Sequence, residues 1–271
     1  MIFFIIGGAA AAAAAGFSAR WNWWRPKIDG MPVLMYHKIG YAPANSRLKK
    51  LWVTPENFAK QVAWLLRKGF TPVLFKDLHD AQKGAGVLPD NPVLITFDDG
   101  YKNNYTNAFP ILKERGAKGN VFLTYNTVGK HNLWHDPASE GWIEMLTWPQ
   151  INEMYTSGVF DFGSHTMNHA SLTEIPFETA DWEIRESKKM LEEKLGREIP
   201  AFAYPYGAGA FSPAIRKSVL DAGYLFDFSI KQGITPLNWK PQYGTIKRLF
   251  IRGDDTMLDF MLQLTRGKSR F

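Results

Sequence analysis

Cysteine is absent from the 271-residue chain, which excludes disulfides, thiolate metal sites and a cysteine nucleophile while leaving the redox compartment open. Dense Lys/Arg runs are missing as well. The 32 basic residues outnumber the 26 acidic ones, for a net charge of +6 and a pI near 9.3, but they are scattered. That balance suits an anionic surface such as a cell wall or membrane better than nucleic acid, and no nucleic-acid partner is expected. Disorder is excluded by an ordinary composition of 45% apolar and 21% charged residues, and the length is ample for a sizeable core. No internal repeat is visible.

Long apolar runs are confined to residues 2–17, IFFIIGGAAAAAAAGF. As a helix this segment spans roughly 24 Å, slightly short of the ~30 Å hydrocarbon core. It suits a signal-peptide core or a short membrane anchor, and Ala13-Ala14-Ala15 offers a small-residue cleavage pattern. Arg20, Arg25 and Lys27 follow the run and no basic residue precedes it, the reverse of the usual export bias. The expected organisation is residues 1–30 as signal peptide or membrane anchor plus a short linker, then residues 31–271 as one domain. An extracytoplasmic location is expected, periplasmic, cell-surface or secreted.

From residue 31 onward, short apolar runs alternate with helical patterns. Strands are predicted at 33–36, 93–97, 120–124, 159–163, 201–204, 225–229 and 246–251. Helices are predicted at 55–68, opened by Thr54 and Pro55, and at 102–115, 148–157, 178–195 and 213–222, each closed by a glycine. This order predicts an α/β architecture with a mostly parallel sheet, and six or seven such units favour a closed barrel over an open sheet.

In such folds ligands bind at the carboxyl ends of the strands. Asp98 and Asp99 stand at one such end, in LITFDDGYKNNY, where two adjacent carboxylates repel unless something neutralises one. After the strand at 159–163 comes GSHTMNH, with His165 and His169 four residues apart. On a helical turn that spacing brings both imidazoles to one face. With one Asp they supply three protein ligands and leave a fourth position open. A cation there neutralises one carboxylate, and the other is free to take a proton from water.

TFDDG (96–100), SHTMNH (164–169) and YPYG (204–207) together resemble the motifs of the polysaccharide deacetylase family, metal-dependent carbohydrate esterases that remove N- or O-acetyl groups from sugars. The similarity covers about residues 31–252. It implies a distorted (β/α) barrel, often seven-stranded, with Asp98 as general base and Asp99, His165 and His169 as ligands of a divalent metal. Zn²⁺ is the first choice by ligand type, with Co²⁺ or Ni²⁺ as alternatives. Tyr206 matches the residue whose backbone N–H helps to hold the oxyanion.

The chain departs from that pattern twice. Ala203 replaces the arginine that in the family orients the catalytic Asp, and no His follows His169 to serve as the late general acid. His37, in MPVLMYHKIG, is the candidate acid, because the branch that deacetylates poly-N-acetylglucosamine carries Tyr-His at this early strand; a packed histidine is the alternative. Arg248 and Arg252 either replace the missing arginine or form surface ion pairs. His131 and His135 share the i, i+4 spacing, but a loop facing substrate or solvent is expected there, and His79 is expected at the surface. Of the sugar-stacking candidates Trp134, Trp142, Tyr206 and Trp239, Tyr206 is preferred for its neighbours. The expected activity is hydrolysis of N-acetyl groups from an N-acetylglucosamine-containing polysaccharide. An inactive glycan-binding relative, or an O-acetyl ester or non-sugar amide hydrolase, is the alternative.

Overall fold

The computed structural model describes residues 14–21, 23–137 and 140–270. The apolar run at 2–17 falls largely outside them; its described end continues into a helical stretch over 14–20. Among the described residues no helix is long and apolar enough to cross a membrane.

Seven parallel strands close into a barrel: β1 (Val33–Tyr36), β5 (Pro92–Phe97), β6 (Gly119–Leu123), β7 (Phe160–Ser164), β8 (Ala201–Ala203), β9 (Phe226–Gln232) and β10 (Ile246–Phe250). Closure comes from β1 pairing with β10 on one side and β5 on the other, with Leu34 opposite both Leu249 and Ile95. Three two-residue strands are additions that the sequence reading does not assign. β2 (Lys38–Ile39) pairs with β3 (Trp52–Val53), and β4 (Thr71–Pro72) runs beside the start of β5.

Period-two alternation sorts the barrel side chains into two apolar clusters. Val33, Leu94, Phe122, Ala201, Ala203, Phe228 and Ile246 fill the interior. Leu34, Ile95, Phe97, Val121, Phe160, Phe162 and Phe202 face outward against the helices. Both faces are covered, which is why these strands read as continuous apolar runs. Gly163 is small of necessity, since a Cβ there would lie 2.8 Å from both the Phe122 ring and the Ala201 carbonyl oxygen.

The helices are α1 (Pro55–Arg67), α2 (Phe75–Gln82), α3 (Phe109–Glu114), α4 (Trp148–Thr156), α5 (Phe177–Leu195), α6 (Pro213–Asp221) and α7 (Met257–Arg266). Thr54 Oγ1 caps α1 by accepting from Asn57 N (3.3 Å), as its position before Pro55 predicts. Two differences from expectation are informative. The helix predicted at 102–115 is interrupted by a π-turn over Asn104–Ala108, next to Pro110, which lacks the N–H of a regular ladder. And α7 lies beyond the last predicted element, although its Thr256/Asp259 capping box is present in the sequence.

Candidate active site

Asp98 and Asp99 emerge where β5 ends. Asp98 N donates to the Tyr36 carbonyl (2.9 Å), tying the pair to the end of β1. The chain then turns sharply through left-handed backbone at Asp99 (φ 77°) and Gly100 (φ 89°). Among the described residues five non-glycines have positive φ, and Asp99, Thr166, His169 and Tyr206 are four of them. Each such position costs of order 1–3 kcal/mol, so strain is concentrated at this end of the barrel.

His165 and His169 converge, but not on the helical turn that their spacing predicts. Thr166 (φ 68°) and His169 (φ 60°) make the segment an irregular turn. It is pinned from α5 by the buried carboxylate of Glu183, which accepts from Met167 N (2.8 Å), Asn168 N (2.9 Å) and Asn168 Nδ2 (2.6 Å). The signal for Glu183 is its place in the apolar stripe of α5, in register with Ala180, Ile184 and Leu191.

Asp99 Oδ1 lies 3.3 Å from His165 Nε2 and 3.1 Å from His169 Nε2, with all three side chains buried. Ligand atoms of the three residues lie within 4.8 Å of one another, and among the described residues this is the one cluster of its kind. The Ala203 carbonyl, which can only accept, sits 2.8 Å from His165 Nδ1. Nδ1 therefore carries the proton, and the Nε2 lone pair is turned toward the carboxylate. A carboxylate oxygen facing an imidazole lone pair is an arrangement that a divalent cation resolves, and the donor set fits one with a position left open.

Asp98 has a different neutraliser. Arg248, from β10, is wholly buried and grips it with two bonds, Nη1 to Oδ1 (2.5 Å) and Nη2 to Oδ2 (2.8 Å), while its Nε donates to Ser229 O (3.0 Å). Burial alone would push the Asp98 carboxyl up, but the Arg248 charge, helped by His165 and His37, holds it below the usual carboxylate value. Of the two arginines that could replace the one absent at Ala203, Arg248 is the one that reaches Asp98. Arg252 does not: it pairs with Asp255 (3.0 Å) outside the barrel.

His37 lies just past β1, partly exposed to the cavity, with its ring edge-on to Phe250 at 5.9 Å. Its carbonyl accepts from Asn104 Nδ2 (2.9 Å), so the π-turn holds the segment in place. Burial lowers the His37 imidazole below its ordinary value, against the opposing pull of Asp99 and Asp98. Tyr206 follows β8, half-exposed, its ring edge-on to His169 at 4.6 Å. Burial, Asp99 and Glu174 push its phenol up to about 12, so it stays protonated.

These groups share a cavity of about 590 Å³ whose remaining wall includes Leu48, Leu51, Ile230 and Phe250. Trp134 and His135 line it too, so the loop at 131–135 faces the site; His131 does not, lying exposed against Trp142. Trp239 lines a separate cavity at the starts of β9 and β10. His79 is away from the site, on α2 beside Glu198. Sequence reasoning misses Arg47 and Glu140 in the cavity wall. Glu140 is buried and accepts from Ser46 Oγ (2.7 Å) and Arg47 N (3.0 Å), joining two loops distant in sequence.

Comparison with known proteins agrees with this geometry. The polysaccharide deacetylase profile matches residues 85–226, just over half of the chain. The poly-β-1,6-N-acetyl-D-glucosamine N-deacetylase of Staphylococcus epidermidis is 29% identical over 177 residues, 62% of this chain and 58% of that enzyme. YxkH of Bacillus subtilis is 28% identical over 204 residues, 75% of this chain and 65% of that protein. The chain thus spans less than two thirds of the length of either relative. A crystal structure of a polysaccharide deacetylase from Bacillus cereus superposes with a TM-score of 0.72 at 28% identity, covering 87% of this chain and 69% of that one. With motifs, barrel and site in agreement, the chain belongs to the polysaccharide deacetylase family.

Proposed function

We propose that this protein hydrolyses N-acetyl groups from an N-acetylglucosamine-containing polysaccharide, most closely in the manner of the poly-N-acetylglucosamine deacetylases. The observation that carries the reading is the meeting of Asp98, Asp99, His165, His169 and His37, from three strand ends, in one cavity. Asp99, His165 and His169 would hold a divalent metal, Zn²⁺ before Co²⁺ or Ni²⁺. When bound there, a divalent ion would supply Lewis acidity toward the acetyl carbonyl and make water more acidic.

The protein's own groups complete the chemistry. Asp98, kept ionised by Arg248, accepts the proton of the attacking water. Tyr206 lies on the Pro205–Gly207 turn after β8 with its ring against His169, and its backbone N–H would serve the negative charge that develops on the carbonyl oxygen. His37 donates a proton to the departing amine. Because burial favours its neutral form, His37 holds that proton most readily while both neighbouring aspartates are charged. The product amine is cationic, so the reaction turns a neutral polymer into one that adheres to anionic surfaces. An exported enzyme suits a polymer outside the cytoplasm, and the apolar segment at 2–17 supports that location and membrane association.

Acetate release from poly-N-acetylglucosamine by the purified full chain tests the proposal. Release should stop with EDTA and return with added Zn²⁺ or Co²⁺. Absence of release under all three conditions, with glycan binding retained, would establish the inactive alternative. Preference for acetylxylan or small amides would redirect the substrate assignment.

A further inference from the structure

The two imidazoles of the cluster are oriented by different means. His165 is fixed by its hydrogen bond to the Ala203 carbonyl. His169 Nδ1 is buried and has no hydrogen-bond partner. A metal-binding histidine ordinarily donates its second ring N–H to an oxygen, which sets ring plane and tautomer. At His169 the constraint is aromatic instead. The Trp134 ring stacks on the imidazole, with centroids 4.1 Å apart and planes 20° from parallel, while Tyr206 meets it edge-on at 4.6 Å and 77°.

Trp134 is itself well anchored. Its loop is tied by Asn132 N to Ile143 O (3.1 Å) and Met145 N to Lys130 O (3.0 Å), and Met145 bridges to Tyr101, two residues past Asp99. The loop therefore leans on the same turn that presents Asp99.

We propose that Trp134 is a positioning residue for the metal site: by stacking on His169 it fixes the plane of that imidazole, as the Ala203 carbonyl fixes the plane of His165. The inference rests on Asp99, His165 and His169 being the metal ligands. It makes metal affinity depend on a loop that supplies no ligand.

The test is Zn²⁺ affinity of the full chain, measured by competition with a chromophoric chelator, with Co²⁺ absorption as a second readout. Trp134→Leu keeps apolar bulk but removes the ring face, and should weaken Zn²⁺ binding about tenfold or more, within the range known for groups that orient ligands. Trp134→Phe should recover most of the loss, and Trp142→Ala, outside the cavity, should change nothing. In a His169→Ala background Trp134→Leu should have no further effect, which separates action through His169 from general loosening. Unaltered Zn²⁺ affinity in Trp134→Leu, or an equal further loss in the His169→Ala background, overturns the proposal. A parent protein that binds no divalent ion would instead remove the metal reading on which it rests.

Discussion

The barrel has a cavity at each end, of similar size and opposite character. The one at the strand C-termini, about 590 Å³, holds Asp98, Asp99, His165 and His169 and is edged by strained backbone. The one at the strand N-termini, about 530 Å³, is lined by Met31, Leu78, Leu88, Phe226, Trp239 and Ile246, and among the described residues Lys240 is the one titratable group in its wall. Volume does not distinguish them. Chemistry does: buried carboxylates and imidazoles are costly unless partnered, and they persist where they are used. The N-terminal end is where a barrel spends residues on stability.

The largest expected effect would confirm or erase that division. Asp98→Asn removes the proposed base without altering shape, and turnover should fall by about 10²–10⁴-fold while Zn²⁺ stoichiometry is retained. Turnover near the parent value would end the assignment of this cavity as the active site.

Next comes Arg248→Met. It strips the partner from a buried carboxylate, a loss of about 3–5 kcal/mol by denaturant unfolding, together with a large drop in turnover. If stability falls and turnover per folded molecule does not, Arg248 serves the fold alone.

His37→Asn should cut turnover about a hundredfold with metal content unchanged, as measured by acetate release and elemental analysis. Equal turnover would make His37 a packed histidine.

At the opposite end, Trp239→Ala removes a ring that packs against Phe226 (6.2 Å) and donates to Gly244 O (2.9 Å). It should cost about 2 kcal/mol of stability and leave kcat/KM alone. A selective loss of activity would blur the contrast between the two ends.

The smallest effect lies outside both cavities, in the first turn of α7. Burial would raise Asp259, but bonds from Arg270 (2.7 and 2.9 Å) and from Thr256 hold it below the usual carboxylate range. A carboxylate depressed in the native state stabilises fully above its unfolded value of about 3.9, and that contribution fades as pH falls toward the lower native value. Arg270→Ala should therefore flatten the loss of stability between roughly pH 5 and pH 2 in denaturant titrations, with activity at neutral pH unaffected.

Much of the site was legible before any coordinates, for a local reason. Asp98, Asp99, His165 and His169 sit just past apolar runs whose ends are readable, and parallel α/β topology sends all such ends to one face. The spacing of the histidines was legible but its geometry was not, because Glu183 of α5 imposes a left-handed turn where i, i+4 periodicity implies a helical one. The helix at 102–115 departs from its pattern at Asn104, whose side chain is engaged by the His37 carbonyl. Such local departures are expected where function competes with propensity.

The sequence by itself determined the α/β order, the strand ends and the residue types gathered there, since hydrophobic period and turn chemistry act over a few residues. Only tertiary structure decided which long-range partners complete them. Arg248 reaches Asp98 across 150 residues because both point into the same barrel, and Trp134 meets His169 because its loop folds back over the mouth. Neither contact leaves a local pattern: the first is set by closure of the sheet through β1, the second by the loop after β6 packing on the turn after its neighbour β7.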